Sequence, residues 1–322
     1  MDENILAFLY DRREGYCSME ELARACGISP ARARQTLDAL QEQGFEIHTS
    51  PAAGVQLQRP MKLSAALIER SLGTRRVGRN VICFDEADST NDVAMASARQ
   101  ANADGLAVLA ESQRKGRGRL GRRWISPPGG NLLMSVLLLE PAASALCHEA
   151  LTIATGLAVA EGIDEACSLA CKLKWPNDVL IDGAKVAGIL VEMSISGRAA
   201  SRAIVLGIGI NVNAHPPRQA VVRPAASLAR HVGHPVERIE VARAALRRLD
   251  EWVARLSRGQ TRRLRDEWLQ RCDMINQRIA VTCAARRYEG RVLDVSPLEG
   301  LILQQDTGQV VHLPAQSSSL AE

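Results

Sequence analysis

The hydrophobic period of this chain changes at Gly44. Before it, apolar side chains recur every three or four residues, as in Ile5, Leu6, Leu9 and Tyr10 or in Ala33, Leu37 and Leu40. After it, Phe45-Glu46-Ile47-His48-Thr49 and Val55-Gln56-Leu57-Gln58 alternate, with Ser-Pro-Ala-Ala-Gly between them. The first period belongs to helices and the second to half-exposed strands joined by a turn. Local signals punctuate the helices. Ser18 is an N-cap with Glu21 three residues on, the pattern of a capping box, and Gly27 ends that helix. Ser29-Pro30 starts a third helix that runs to about Gln43, with Arg32, Arg34, Gln35 and Asp38 facing outward. Two short helices about a Gly-containing turn form a helix-turn-helix, and the hairpin adds a wing. The second helix of such a pair enters a major groove, where Arg and Gln read base edges. Arg32, Arg34 and Gln35 are therefore the candidate DNA contacts. The same fold also serves protein interaction, and the fold alone does not decide between the two.

At 322 residues the chain has room for two or three domains. Hydrophobic residues make up 46% but aromatics only 3%, so Leu, Val, Ile and Ala must build the core. A net charge of +4 is compatible with anionic partners without requiring them. No apolar run reaches the roughly 18 residues of a membrane span. Met1-Asp2-Glu3-Asn4 lacks the basic start of a signal peptide. Eight cysteines without a CxxC pair argue against zinc and against a disulfide framework, so a cytoplasmic location is expected.

The central region mixes strands (81–84, 106–110, 131–139, 169–175, 187–195, 202–212) with helices (92–101, 148–166, 241–256, 261–272). Adjacent hairpin strands and long helices predict an α+β fold rather than a doubly wound parallel sheet. Four clusters carry chemistry. In Gly116-Arg117-Gly118-Arg119-Leu120-Gly121-Arg122-Arg123-Trp124, after Gln113, Arg114 and Lys115, glycines admit a ligand to the backbone and guanidinium forks suit phosphate or carboxylate. So many like charges on an ordered loop imply a neutralising anion, although a solvated basic loop is the plainer alternative. Lys174-Trp175-Pro176-Asn177-Asp178 reads as a turn whose Asp178 is a candidate Mg²⁺ ligand, or as a structural turn only. Lys185 opens an apolar strand beside Ala187 and Gly188, which leave room for a ligand. In Gly207-Ile208-Gly209-Ile210-Asn211, alternating glycines mark close approach by a ligand or another backbone. No helix-opening GxGxxG, Walker sequence or nucleophile elbow is present.

Together with Asp88-Ser89-Thr90-Asn91, these clusters in this order resemble the biotin protein ligases, specifically the kind that doubles as biotin operon repressor. The resemblance spans nearly the whole chain and implies three units: a winged helix-turn-helix (1–63), a catalytic domain related to class II aminoacyl-tRNA synthetases (64–273), and a small SH3-like barrel (274–322). It implies that biotin is activated by ATP to biotinyl-AMP and passed to a lysine of a biotin carboxyl carrier protein. It assigns Lys185, Arg117 and Arg119 to catalysis. Biotin falls to Ser89, Thr90, Asn91, Gln113, Gly116, Arg117, Gly118, Arg119, Lys185, Gly207 and Gly209. ATP falls to Arg119, Arg122, Trp124, Lys174, Asn177 and Asn211. Operator DNA and a homodimer are the implied partners, with no membrane. The chain departs from the family pattern at Leu120, where Arg is common, and at 310–315, where some relatives have a Trp. A lipoate or octanoate ligase, and a DNA-binding regulator without ligase activity, are the rival readings.

Overall fold

The computed structural model describes residues 2–12, 15–59, 61–100, 102–141, 146–196 and 201–321. Helices α1 (Asp2–Asp11), α2 (Met19–Cys26) and α3 (Pro30–Glu42) precede a hairpin of β1 (Ile47–Ser50) and β2 (Gly54–Leu57), as the change of period predicts. Ser18 accepts from the Glu21 N–H at 3.0 Å, and Gly27 closes α2 in the left-handed region at φ 66. The expected capping box forms only in this half, because the Glu21 carboxylate pairs with Arg12 and ties α2 to α1. Ser29 accepts from the Arg32 N–H at 3.2 Å. Ala33, Thr36, Leu37 and Leu40 are the buried face of α3, whereas Arg32, Arg34 and Gln35 are exposed.

After α4 (Ala65–Glu69), the central body comprises β3 (Val81–Ala87), α5 (Thr90–Ser97), β4 (Ala107–Gln113), β5 (Leu132–Pro141), α6 (His148–Cys167), β6 (Lys172–Lys174), β7 (Asp178–Ile181), β8 (Ala184–Ser196) and β9 (Ser201–Ile210). Their sheet runs β3-β4-β5-β9-β8-β7-β6. The β3–β4 pair is parallel and the other pairs are antiparallel, which is the predicted α+β class. Helices α7 (Leu228–Val232), α8 (Arg238–Leu256) and α9 (Thr261–Gln270) follow. The chain then forms an antiparallel five-stranded sheet of β10 (Arg278–Cys283), β11 (Arg286–Ser296), β12 (Gly300–Gln305), β13 (Val310–Leu313) and β14 (Ser318–Leu320), ordered β13-β12-β11-β10-β14. This is the β-rich unit expected at the C-terminus, with β13 and β14 as its edges. Among the described residues no helix is long and apolar enough to cross a membrane.

Three short elements, β7, α7 and β14, are not marked by periodicity. The strand expected over 169–175 shrinks to Lys172–Lys174, since α6 runs to Cys167.

The two faces of the large sheet are covered unequally. Helix α6, buried on nearly every side, and α8 belong to the main core with the inward residues of β5, β8 and β9. On the opposite face α5 sits over a smaller cluster that includes Ala94, Val108, Leu137 and Val205. The rest of that face is left for the site.

The contact between α6 and α8 depends on Gly162, where a Cβ would lie 2.7 Å from Ala245 N. In an open helix Gly→Ala stabilises by about 0.5–1 kcal/mol. Here overpacking against backbone costs about 1–3 kcal/mol, the larger effect. Gly162→Ala should therefore lower the midpoint of urea unfolding; an unchanged or raised midpoint would show that the helices separate freely.

Candidate functional site

Residues two apart on a strand share a face. Along β9, Val205 packs beneath α5, and Gly207 and Gly209 then present no side chain on that same face. Gly209 lies opposite Gly188 on β8, and Gly207 opposite Leu190. The result is a bare patch of sheet. A Cβ at Gly207 would sit 2.5 Å from Asn91 Oδ1, and one at Gly209 2.5 Å from Trp124 Cε2. One at Gly188 would meet Lys185 Nζ at 2.9 Å and Trp124 Cζ3 at 3.0 Å. The close approach that the alternating glycines predict is thus made, in this structure, by the Trp124 indole and the Asn91 amide.

The N-terminus of α5 forms a neutral polar wall beside this floor. The Thr90 N–H donates to Gln113 Oε1 at 2.7 Å, and the Thr90 hydroxyl donates to the same oxygen at 3.1 Å. Ser135 Oγ lies 2.6 Å from both Thr90 Oγ1 and Asn91 Oδ1. Asn91 Nδ2 donates to Glu192 Oε2 at 2.6 Å. Ser89 is buried at the N-cap position without a capping bond. Ser135 was not singled out from the sequence, and Glu192 stood there only as the end of the segment that opens at Lys185, without a role. Ser135 faces Gly207 across β5 and β9, a register that no local signal reveals.

The cations have partners within the chain. Arg114 and Lys115 donate to Asp88 at 2.7 and 2.8 Å. Arg117 makes a fork on Asp92 at 2.8 and 2.6 Å and reaches Glu192 at 3.2 Å. These bonds hold the Asp88 and Asp92 carboxyls below their usual range and push Arg117 up, its bond to Asp92 being the largest cause. The anion expected from the loop's charge is supplied here by the chain's own carboxylates. Arg119 donates to Asn177 Oδ1 at 3.2 Å, to Ser318 O at 2.6 Å and to Ala315 O, fastening the loop to the C-terminal sheet. Burial pushes its pKa down to about 10. Lys185 is not a lone cation: its ammonium lies 2.5 Å from Asp178 Oδ1 and 5.5 Å from the Trp124 ring centroid. The candidate Mg²⁺ ligand is therefore the partner of the candidate catalytic lysine.

A cavity of about 470 Å³ gathers Ser89, Thr90, Asn91, Gln113, Arg117, Gly118, Arg119, Arg122, Trp124, Asn177, Asp178, Lys185, Gly207, Gly209 and Asn211. Gly116 and Lys174 are not part of its lining. Arg122, Arg123 and Arg223 line it with no side-chain partner among the described residues. Arg223 is a cation that sequence reasoning passed over. Burial and the charge of Arg223 together lower the Lys174 pKa. Asn211 Nδ2 donates to Ala226 O at 3.2 Å and to Lys185 O at 3.4 Å, steadying the start of β8. Trp124 Nε1 and Asn211 Oδ1 are buried without a partner, and such groups are costly unless something pairs with them. Leu120, 56% exposed and at φ 53, lines the same cavity between Arg119 and Arg122.

Gly209→Ala should lift the indole from the sheet at a cost of about 1–3 kcal/mol. Tryptophan emission should shift to the red while far-ultraviolet circular dichroism stays unchanged; an unshifted emission would mean that Trp124 does not need the bare floor.

Two family models match the chain. The biotin/lipoate A/B protein ligase family matches residues 81–211, and a winged helix-turn-helix DNA-binding family matches residues 1–45. A bifunctional ligase/repressor BirA of Bacillus subtilis (strain 168) is 35% identical over 202 residues, 62% of this chain and 62% of its own length. A biotin–[acetyl-CoA-carboxylase] ligase of Paracoccus denitrificans is 34% identical over 71% of this chain and 95% of its own. Among solved structures, the Aquifex aeolicus biotin protein ligase in complex with biotin and ATP superposes with a TM-score of 0.63 at 27% identity, over 76% of this chain and 99% of that one. With its floor, polar wall and arginine loop on such a body, and a winged helix-turn-helix ahead of it, this chain belongs to the biotin protein ligase family.

Proposed function

We propose that the protein activates biotin with ATP to biotinyl-5'-AMP and transfers the biotinyl group to a lysine of a biotin carboxyl carrier protein. The observation that carries this is the pairing, in one cavity, of a neutral hydrogen-bonding wall with a cationic end. Biotin has the matching halves: an uncharged ureido head and a carboxylate tail. Thr90, Asn91 and Gln113, with Ser89 and the backbone at Gly207 and Gly209, suit the head. Lys185, Arg117 and Arg119, with Gly116 and Gly118, suit the tail and the phosphate it joins. The carboxylate attacks the α-phosphate and pyrophosphate leaves; both reactants are anions, so prepositioned cations supply the main stabilisation. Arg122, Trp124, Asn177 and Asn211 belong to the nucleotide side of the cavity, the unpaired Arg123 and Arg223 join them, and Lys174 stands behind them outside the lining. In the second step a carrier lysine attacks the mixed anhydride and AMP leaves.

Mg²⁺ is commonly held by one or two carboxylates plus nucleotide phosphates. Asp178 is the one carboxylate that lines the cavity among the described residues, and it fits that role alongside Lys185. Bound there, the ion would neutralise phosphate charge.

A lipoate or octanoate ligase shares the chemistry, but neither acyl group has a ureido head to satisfy Thr90, Asn91 and Gln113. Unpaired polar groups in a closed site discriminate strongly. Biotin-dependent exchange of radiolabelled pyrophosphate into ATP, with little exchange on lipoate or octanoate, is the expected result. Exchange on lipoate alone, or on no acid, would reject the reading. Lys185→Ala should slow the exchange by about 2–4 kcal/mol, at a tenfold loss per roughly 1.4 kcal/mol.

We further propose that the protein is a biotin-responsive repressor, acting in the cytoplasm as a homodimer with units at 1–63, 64–273 and 274–322. Arg32, Arg34 and Gln35 stand exposed on α3 with no carboxylate partner among the described residues; the Arg32 Nη1 donates to Gln35 Oε1 at 2.7 Å. A single small module has limited specific affinity, and two half-sites on a symmetric dimer supply the rest. Footprinting upstream of biotin-synthesis genes should show a protected palindrome, stronger with biotin plus ATP and weakened by Arg34→Ala. Absence of protection in both conditions would make α3 a protein-interaction surface instead.

A further inference from the structure

We propose that Glu192 is a positioning residue that fixes the orientation of the Asn91 amide and at the same time holds the arginine loop. The inference rests on the biotin-ligase reading and adds a residue to which that reading gives no role. Glu192 lies on β8 on the same face as Gly188 and Leu190, two and one strand repeats away. It does not line the ligand cavity. With Leu190 and the loop it lines a second cavity of about 450 Å³.

A side-chain amide turned by 180° keeps its shape but exchanges its oxygen and its NH₂. Asn91 touches two groups: Ser135 Oγ, 2.6 Å from Oδ1, and Glu192 Oε2, 2.6 Å from Nδ2. The Ser135 hydroxyl, shared with Thr90 Oγ1 at 2.6 Å, can donate to Asn91 Oδ1 or accept from its NH₂, so it fixes neither orientation by itself. An ionised carboxylate only accepts, so Glu192 accommodates one. Glu192 therefore dictates which end of Asn91 faces Ser135 and Gly207. Among the described residues no other side chain bonds the Asn91 amide.

The second function follows from the same oxygen. Glu192 Oε2 also accepts from Arg117 Nη2 at 3.2 Å, while Asp92, next to Asn91 on α5, takes both arms of the Arg117 fork. Arg117 is thus clamped between β8 and α5. One carboxylate serves the wall that meets the neutral head of the ligand and the loop that closes over its activated tail.

Glu192→Gln separates this role from simple packing, because it keeps volume and a hydrogen bond but removes both the acceptor-only character and the charge. Calorimetric titration of the full-length protein with biotin alone should show affinity weakened about tenfold, and the KM for biotin in pyrophosphate exchange should rise by more than kcat falls. Limited trypsinolysis should cut the loop between Arg117 and Arg123 several-fold faster than in the unaltered protein. Glu192→Ala should exceed Glu192→Gln in both effects. Unchanged biotin affinity and unchanged loop cleavage in a folded Glu192→Gln protein would overturn the proposal, as would a parallel rise in the KM values for biotin and ATP with a lowered melting temperature. Failure of the unaltered protein to bind biotin would overturn the ligase reading itself, and is seen before any variant is made.

Discussion

The site depends on a stretch of β-sheet that has lost its side chains. A strand face normally carries branched residues that must be covered, and α5 covers them as far as Val205. From Gly207 onward the covering changes: Asn91 and Trp124 rest directly on backbone, at distances a single methyl would forbid. The cross-strand match of Gly188 with Gly209 widens the bare area over two strands, enough for an indole. A flat backbone floor also leaves its neighbours in fixed positions, because the strands beneath it are hydrogen-bonded on both sides.

Charge in the site is arranged by exchange rather than by vacancy. Arg117, Arg119 and Lys185 each hold an internal partner: the Asp92 and Glu192 carboxylates, the 315 and 318 carbonyls, and Asp178. A guanidinium or ammonium already oriented by a partner needs little reorganisation when an incoming anion takes that partner's place, and such preorganisation is what makes electrostatic catalysis effective. The same pairing keeps a dense cationic loop stable while no ligand is bound. Arg122, Arg123 and Arg223 are different, since they face the cavity with no internal anion among the described residues.

What was legible in the sequence was local. Helix α2 is delimited by Ser18 and Gly27 and the start of α3 by Ser29, caps that act within four residues of themselves. The long strands and helices of the body follow from periodicity sustained over ten or more residues. The short β7, α7 and β14 hold too few turns of any period to be told from loops, whereas β1 and β2, equally short, are marked by the turn between them. The candidate site was legible as a set of residues because glycines and arginines are unusual where they stand. Their relations were not. That Trp124 lies on Gly209, that Lys185 pairs with Asp178, and that Glu192 meets both Asn91 and Arg117 are facts of register between distant segments. Ser135 and Arg223 carry no local oddity at all, so only the fold brings them to attention.

The attachment of the winged helix to the body adds buried polar pairs to an apolar core that the two share. The chain leaving the hairpin is gripped by the start of α8: Arg238, with a side chain 4% exposed, pairs with Glu111 and donates to Met61 O at 3.0 Å, while Glu111 accepts from the Leu63 N–H at 2.7 Å. Tyr10 donates to Glu240 at 2.7 Å, and the Met61 N–H donates to Glu237 at 3.2 Å. Removing one partner of a buried pair of this kind costs about 3–5 kcal/mol, because the other charge is left uncompensated. Yet Glu111, Glu237 and Glu240 outnumber Arg59 and Arg238 here, and burial raises the Glu237 carboxyl. Such a junction can re-pair, whereas packed apolar helices cannot without opening a void. Glu111 stands on β4 two residues from Gln113, which accepts from Thr90 in the ligand wall. One short strand therefore touches both the ligand wall and the base of the winged helix.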